Sequence, residues 1–274
     1  MKKTLLIIGG GIETLPGLIK AKELGLDVIV SDQNPKAPCF KYADYSFYQS
    51  TYDIKSVIKE AVNFDNSIKK IDGVISIATD IPKTVSAVSN ALKIPGISEN
   101  AATISSDKLI MKRVFSEHNI PIPWFSEILS YEHFEELVEE KKLPLVIKPI
   151  DSRGSRGVLL ISKKTDLKSF YEHSINNSPT RKIMLERFLE GPQISTESII
   201  YEGRSYTSGF SDRNYLSTQK YLPHFVEDGG QLPSILSDKN QEKVNKLIQK
   251  IANILKIKNG TLKVDIVMNG GNPF

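Results

Sequence analysis

Cysteine is almost missing from this 274-residue chain. Cys39 stands alone, so no intrachain disulfide can form, and the sequence suits a reducing cytoplasm. No histidine lies near Cys39 in sequence, which argues for a small buried or half-buried thiol rather than a nucleophile. The four histidines, His118, His133, His173 and His224, show neither i, i+4 nor finger spacing, which counts against a zinc site. Charge of one sign is also lacking. Lys plus Arg number 36 and Asp plus Glu 32, an excess of 36 − 32 = 4, too small to argue for a nucleic-acid partner. Long apolar runs are absent. Leu5–Ile8 follows two lysines in the manner of a signal peptide, but Gly9-Gly10-Gly11 interrupts it after four residues. No stretch approaches a membrane span, and there is neither an internal repeat nor a low-complexity linker. What remains is a globular chain long enough for two or three compact units, with a cytoplasmic location and neither nucleic-acid nor membrane partners expected.

The apolar pattern then supplies elements. Residues 3–8 read as a buried strand and Glu13–Leu24 as a helix closed by Gly25. Asp27–Asp32 and Gly73–Ala78 read as further strands, with helices at Thr51–Val62 and Thr84–Leu92. Strands alternating with helices predict a parallel sheet covered on both faces. After Pro95-Gly96 the style changes. Ser106-Asp107 caps a helix running through Met111 to His118, and Tyr131–Glu140 is an acidic helix. Strands are expected within 144–161 and at Lys182–Arg187, Ile194–Tyr201, Tyr206–Phe210 and Leu262–Met268. Helices are expected at Leu167–Ser174 and Asp238–Leu255, and a hairpin turn at Gly203.

Gly9-Gly10-Gly11-Ile12-Glu13-Thr14 follows a strand and opens a helix, with Asp32 ending the next strand. This invites a dinucleotide reading and, with it, a nicotinamide-dependent oxidoreductase. Thr14 occupies the third glycine position, and a glycine turn heads many doubly wound sheets. The better reading is a Rossmann-like leading domain in which Asp32, Thr79 and Asp80 line a substrate site, or serve only as caps and turn formers.

The richest chemistry lies later. Val146-Ile147-Lys148-Pro149 leads into Ile150-Asp151-Ser152-Arg153-Gly154-Ser155-Arg156-Gly157-Val158, and Met184-Leu185-Glu186-Arg187-Phe188-Leu189-Glu190-Gly191 follows. Glycines let a backbone close and turn N–H groups inward, while Lys148, Arg153 and Arg156 add positive charge, a device for holding polyphosphate. A lysine before proline at the end of an apolar strand is otherwise costly to bury. Nothing apolar anchors Asp151–Gly157, so that loop is expected to order around phosphates.

Together these segments resemble the ATP-grasp superfamily, ligases of the biotin carboxylase, carbamoyl phosphate synthase and D-alanine ligase type. The resemblance covers residues 100–274. It implies an α/β chain with a Rossmann-like N-terminal domain (1–98) before an ATP-grasp module of two α+β lobes. These are a small lobe with a linker helix (99–188) and a C-terminal lobe (189–274) that is incomplete. It implies ATP and Mg²⁺ as cofactors, with small carboxylate and amine substrates and a possible homo-oligomer. By resemblance, Lys108 contacts phosphates, and Lys148, Ser155 and Arg156 form the catalytic set. The N–H groups near Gly154 and Gly157 join them in a lid over the phosphates. Glu186 accepts from the adenine amino group beside the Arg187 carbonyl and the Leu189 N–H. Gln193 stands where the family carries a ribose-binding Glu, with Glu190 or Glu197 as substitutes. Asp265 matches the first Mg²⁺ carboxylate. Lys263, Arg213 and Lys220 are looser candidates for the γ-phosphate or an acyl phosphate. The family's second carboxylate lies beyond Phe274, so a truncated chain is expected. The implied activity is ATP-dependent carboxylate activation through an acyl phosphate. The competing reading is a nucleotide-binding piece completed by another chain.

Overall fold

The computed structural model describes residues 2–215 and 218–274. They form two compact units, Met1–Ser106 with Lys256–Gly260, and Asp107–Leu255 with Thr261–Phe274.

The first unit is a parallel sheet of order β3-β2-β1-β4, with β1 at Thr4–Ile8, β2 at Asp27–Ser31, β3 at Tyr45–Phe47 and β4 at Gly73–Ile75. Helices α1 (Leu15–Glu23), α2 (Ile54–Ser67), α3 (Pro82–Leu92) and α4 (Glu99–Ser106) accompany it. The side chains of β1 alternate between two cores. Leu6 and Ile8 pack with Val57, Phe64 and Val88, whereas Ile7 packs with Leu18 and Val30. Both faces are therefore covered, which is why the strand is apolar without interruption. Helix α2 starts later than its pattern suggests because Asp53 caps it, accepting from Ser56 N–H at 3.1 Å. Strand β3 and helix α4 have no counterpart in the sequence reading.

The glycine turn closes on its own protein. Gly10 N–H donates to Asp32 Oδ2 at 2.8 Å, and Asn34 N–H to Oδ1 at 2.8 Å. The Asp32 carboxylate is thus engaged by the turn instead of facing a ribose, which removes the basis of the nicotinamide reading. Cys39 is buried, its thiol 3.2 Å from Gly11 O, and burial, then the charge of Asp32, pushes its pKa up. Among the described residues no helix is long and apolar enough to cross a membrane.

In the second unit, α5 (Lys108–Glu117) precedes β5 (Phe125–Ile128), α6 (Tyr131–Glu140), β6 (Leu145–Pro149), β7 (Leu159–Ile161), α7 (Leu167–Asn176) and β8 (Ile183–Arg187). These strands form an antiparallel sheet of order β5-β8-β6-β7 over a core containing Phe134, Leu145, Ile147 and Leu185. Next come β9 (Gln193–Tyr201), β10 (Arg204–Asn214), α8 (Thr218–Tyr221), β11 (Gly229–Gln231), α9 (Asp238–Ile254), β12 (Gly260–Asn269) and β13 (Asn272–Pro273). Their sheet has the order β11-β10-β9-β12-β13. Glu202 and Gly203, at φ 50° and 79°, form the tight turn between β9 and β10, as right-handed strand twist favours. Val244, Ile248 and Ile194 bury α9 against this second sheet. The expected start of the small lobe at residue 99 contrasts with α4, which belongs to the first unit, and Lys256–Gly260 returns to that unit too.

Candidate active site

Helix α5 is the first part of the site. Asp107 caps it, accepting from Leu109 and Ile110 N–H at 2.9 Å each, and Lys108 N–H donates to Ile150 O at 2.9 Å. The helix is thereby fixed against the end of β6. One turn separates Lys108 from Lys112, so both project from one face. From β6 comes Lys148 and from β8 Glu186; the two strands pair with Val146 opposite Glu186.

These four side chains converge. Glu186 Oε1 accepts from Lys148 Nζ, and Lys112 Nζ lies 2.9 Å from Oε2. Their side chains are 13 %, 16 % and 8 % exposed for Glu186, Lys148 and Lys112, so the bridge is nearly dry. Oε2 nonetheless has no hydrogen bond of good geometry. Burial alone would raise the Glu186 pKa, but the ammonium groups of Lys148 and Lys112 outweigh it and hold the carboxyl below its ordinary value. Lys112 is lowered by burial, with Lys148 adding to the effect and Glu186 opposing it. Lys108, whose ammonium donates to Ser152 O, is lowered to about 8 by burial and then by Lys148 and Arg153. Three lysines thus converge on one carboxylate, with the Asp151 carboxylate also acting on Lys108, which leaves a surplus of positive charge.

The cluster lines a cavity of about 400 Å³. Val146, Met111, Phe188, Phe225 and Ile266 give it apolar walls, and the Phe188 and Phe225 rings stack at 5.9 Å and 29°. Flat apolar walls beside convergent charges suit a ring carrying an anionic tail. Lys108, Lys148, Ser155, Glu186, Arg187, Leu189, Gln193 and Asp265 all line it. Leu189 N–H has no hydrogen bond to any described residue.

The glycine loop is only partly as expected. Its start is anchored: Asp151 accepts from Ser178 Oγ at 2.8 Å and Thr180 N–H at 2.9 Å, and Ser152 Oγ donates to Asn177 O. Polar ties do what apolar anchors were missing to do. Gly154, Ser155 and Gly157 take φ of 63°, 55° and 74°. At Gly157 a Cβ would sit 2.7 Å from Asn177 Cβ, so the backbone has no room for a side chain there. Gly154 and Gly157 shape the loop without lining the cavity. Arg156 is exposed, its Nε donating to Arg153 O at 3.1 Å, and does not line the cavity either.

Across the cavity, Asp265 on β12 is held from two sides. Arg213 Nη1 lies 2.8 Å from Oδ2, and Ser195 Oγ donates to Oδ1 at 3.0 Å. Arg213 Nε also donates to Glu227 Oε2 at 3.1 Å. Burial works against the Arg213 charge, but the Glu227 hydrogen bond and the Asp265 carboxylate carry its pKa above the ordinary value. Lys220 and Lys263 are exposed and outside the cavity lining. Glu190 is exposed as well. Glu197 stands four residues along β9 from Gln193, about 13 Å at strand rise, too far to share one ribose with it.

Sequence reasoning missed Lys112. A lysine on an amphipathic helix normally marks the solvated face, and the only local signal was its i+4 relation to Lys108.

The family model described as ATP-grasp domain matches residues 105–274. A formate-dependent phosphoribosylglycinamide formyltransferase of Prochlorococcus marinus (strain MIT 9515) is 30% identical over 204 residues, covering 69% of this chain and 48% of that protein. The chain thus spans about half the length of the curated relatives it matches. N5-carboxyaminoimidazole synthetase of Staphylococcus aureus complexed with ADP superposes with a TM-score of 0.80 at 17% identity, over 99% of this chain and 69% of that one. The biotin carboxylase domain of Hydrogenobacter thermophilus 2-oxoglutarate carboxylase, in complex with MgADP, ADP and bicarbonate, gives 0.80 at 17% identity, over 100% and 63%.

Proposed function

The chain belongs to the ATP-grasp family, and from that premise we propose that its second unit binds ATP and serves ligation of a carboxylate to an amine or another nucleophile. In that reaction the γ-phosphoryl passes to a carboxylate oxygen, giving an acyl phosphate and ADP. The nucleophile then displaces phosphate. The observation that carries the reading is the cluster of Lys108, Lys112 and Lys148 around Glu186 in a cavity with apolar walls. Such a surplus of buried positive charge is costly unless an anion completes it.

In this assignment Glu186, the Arg187 carbonyl and the Leu189 N–H meet the adenine edge, and Gln193 meets the ribose. Lys108 and Lys148 take the phosphates, with Ser155 over them. Catalysis is then positioning and charge neutralisation. Asp265 offers a hard oxygen at the cavity wall, 54 % exposed. Among the described residues no three His, Cys, Asp or Glu side chains gather into an ion site, so this carboxylate suits Mg²⁺ that arrives on the phosphates. Bound there, the ion would neutralise phosphate charge. The pairing of Asp265 with Arg213 favours a second reading, nucleotide binding without turnover, which predicts no substrate-stimulated phosphate release.

ADP with Mg²⁺ is expected to raise the melting temperature and NAD to leave it unchanged. At 100 times Kd the gain is about 2.7 kcal/mol. A shift with NAD alone overturns the assignment.

Nucleotide binding is also expected to take up a proton. Lys108 in the free protein titrates near 8, below its ordinary 10.5. Phosphates beside it favour the ammonium and raise that value. Affinity should therefore fall as pH rises above about 8, and calorimetry at pH 8.5 in buffers of different ionisation enthalpy should show uptake that Lys108→Met abolishes. Without ligand the sign runs the other way. The depressed pKa costs stability below about 8, and that cost is relieved between there and 10.5. Affinity independent of pH across that range would remove Lys108 from the phosphate site.

A further inference from the structure

A second cavity, of about 650 Å³, opens along β9 and β10 towards the segment before α9. Its polar lining is mostly hydroxyls, with one carboxylate and the Gln241 amide. Glu197, exposed at the rim, brings a carboxylate that no described residue pairs with, and no described lysine, arginine or histidine lines the space. Three of the hydroxyls around it already donate elsewhere. Ser195 Oγ donates to Asp265 at 3.0 Å, Ser208 Oγ to Glu197 O at 3.0 Å, and Ser234 Oγ to Asp212 Oδ1. A hydroxyl whose proton is committed offers only lone pairs. The Gln241 amide, which donates to Leu236 O at 2.8 Å, also lines the space. Acceptors thus predominate around one negative charge, which favours a cation with hydrogen-bond donors. The shape is built by the backbone. The register slips between Thr207 and Gly209, and Gly209 leaves the space open, its nearest side-chain neighbour, Leu232, being 3.7 Å from where a Cβ would stand.

The position adds the link to chemistry. Ser195 belongs to this cavity, and the Asp265 it holds belongs to the nucleotide cavity. We propose that this second cavity is the site for the amine co-substrate, a small molecule carrying a primary ammonium and hydroxyl donors, with Glu197 as its counter-charge. This rests on the ligase reading for its role in the reaction, but the binding preference follows from the Glu197 carboxylate and the lack of a cationic side chain in the described lining.

Serinol and glycerol test it, because they differ by an ammonium in place of one hydroxyl. In titrations of the whole protein followed by amide NMR, serinol should give saturable shifts centred on Ser195, Glu197, Gly209 and Ser211, and glycerol should not. Glu197→Gln should weaken serinol about tenfold or more, as loss of a charge-assisted hydrogen bond does. Gly209→Leu should block it by filling the bulge. ADP binding, measured in the same samples, should persist in both variants. Equal shifts with glycerol, unchanged serinol affinity in Glu197→Gln, or shifts mapping elsewhere overturn the proposal. Loss of ADP binding in the wild-type protein with serinol binding retained would instead overturn the ligase reading and leave the cavity assignment standing.

Discussion

Replacing Glu186 with alanine is expected to destabilise the protein by about 3–5 kcal/mol, read as a lower midpoint in guanidinium titrations. Among the described residues the Glu186 carboxylate is the one paired with Lys112 and Lys148, in a nearly dry cluster. Its removal leaves ammonium groups that burial already discourages. Glu186→Gln keeps the shape and loses the charge, so it should cost nearly as much if the charge is what matters. The pH dependence separates this from a simple cavity. Without Glu186, which opposes the effect of burial on Lys112, the lysine pKa falls further below the ordinary value, so the folded variant binds fewer protons than the unfolded one. Stability of the variant should then rise with pH through the alkaline range more steeply than that of the wild type. A loss under about 1 kcal/mol for both variants, with no change in pH slope, would mean that the bridge contributes nothing beyond an exposed ion pair.

Lys148→Ala should weaken ADP binding by one to two orders of magnitude, and Lys163→Ala should leave it unchanged. A charge-assisted hydrogen bond contributes about 1.5–3 kcal/mol, roughly tenfold to more than a hundredfold in Kd. Lys148 carries such a charge into the cavity wall, whereas Lys163 is exposed beyond β7. Because Lys148 also holds Glu186, part of the loss will be structural, and Lys148→Met, which retains the apolar stem, isolates the charge. Equal affinities for Lys148→Ala and Lys163→Ala, measured by calorimetry, would move the phosphate site elsewhere.

Helix α6 was legible to its limits because Ser130 caps it and Phe134 and Leu137 mark one buried face. Strand β1 was legible because both its faces are buried. Three residues of β3 carry too short a pattern to separate from a loop. Helix α4, with small residues Ala101 and Ala102 buried, lacks the bulky stripe that announces amphipathicity. In the site, Lys108, Lys148 and Glu186 could be read because each sits in a local motif. The ties between distant residues could not. Lys112 to Glu186, Arg213 to Glu227 and Ser195 to Asp265 each join different elements, and only the folded chain brings them together. Arg156 shows the converse. Its motif placed it over phosphates, whereas the left-handed backbone of Gly154 and Ser155 accompanies an outward, exposed side chain.

The return of Lys256–Gly260 to the first unit means that the polypeptide crosses between units three times. At Gly260 a Cβ would meet the Ile97 side chain at 2.8 Å, so this short visit is closely fitted. A single proteolytic nick after Ser106 would therefore not yield two free halves. A graft of the second unit onto another leading domain would have to carry a matching seat for five residues from near its far end, which makes the leading domain less interchangeable than its position at the start of the chain suggests.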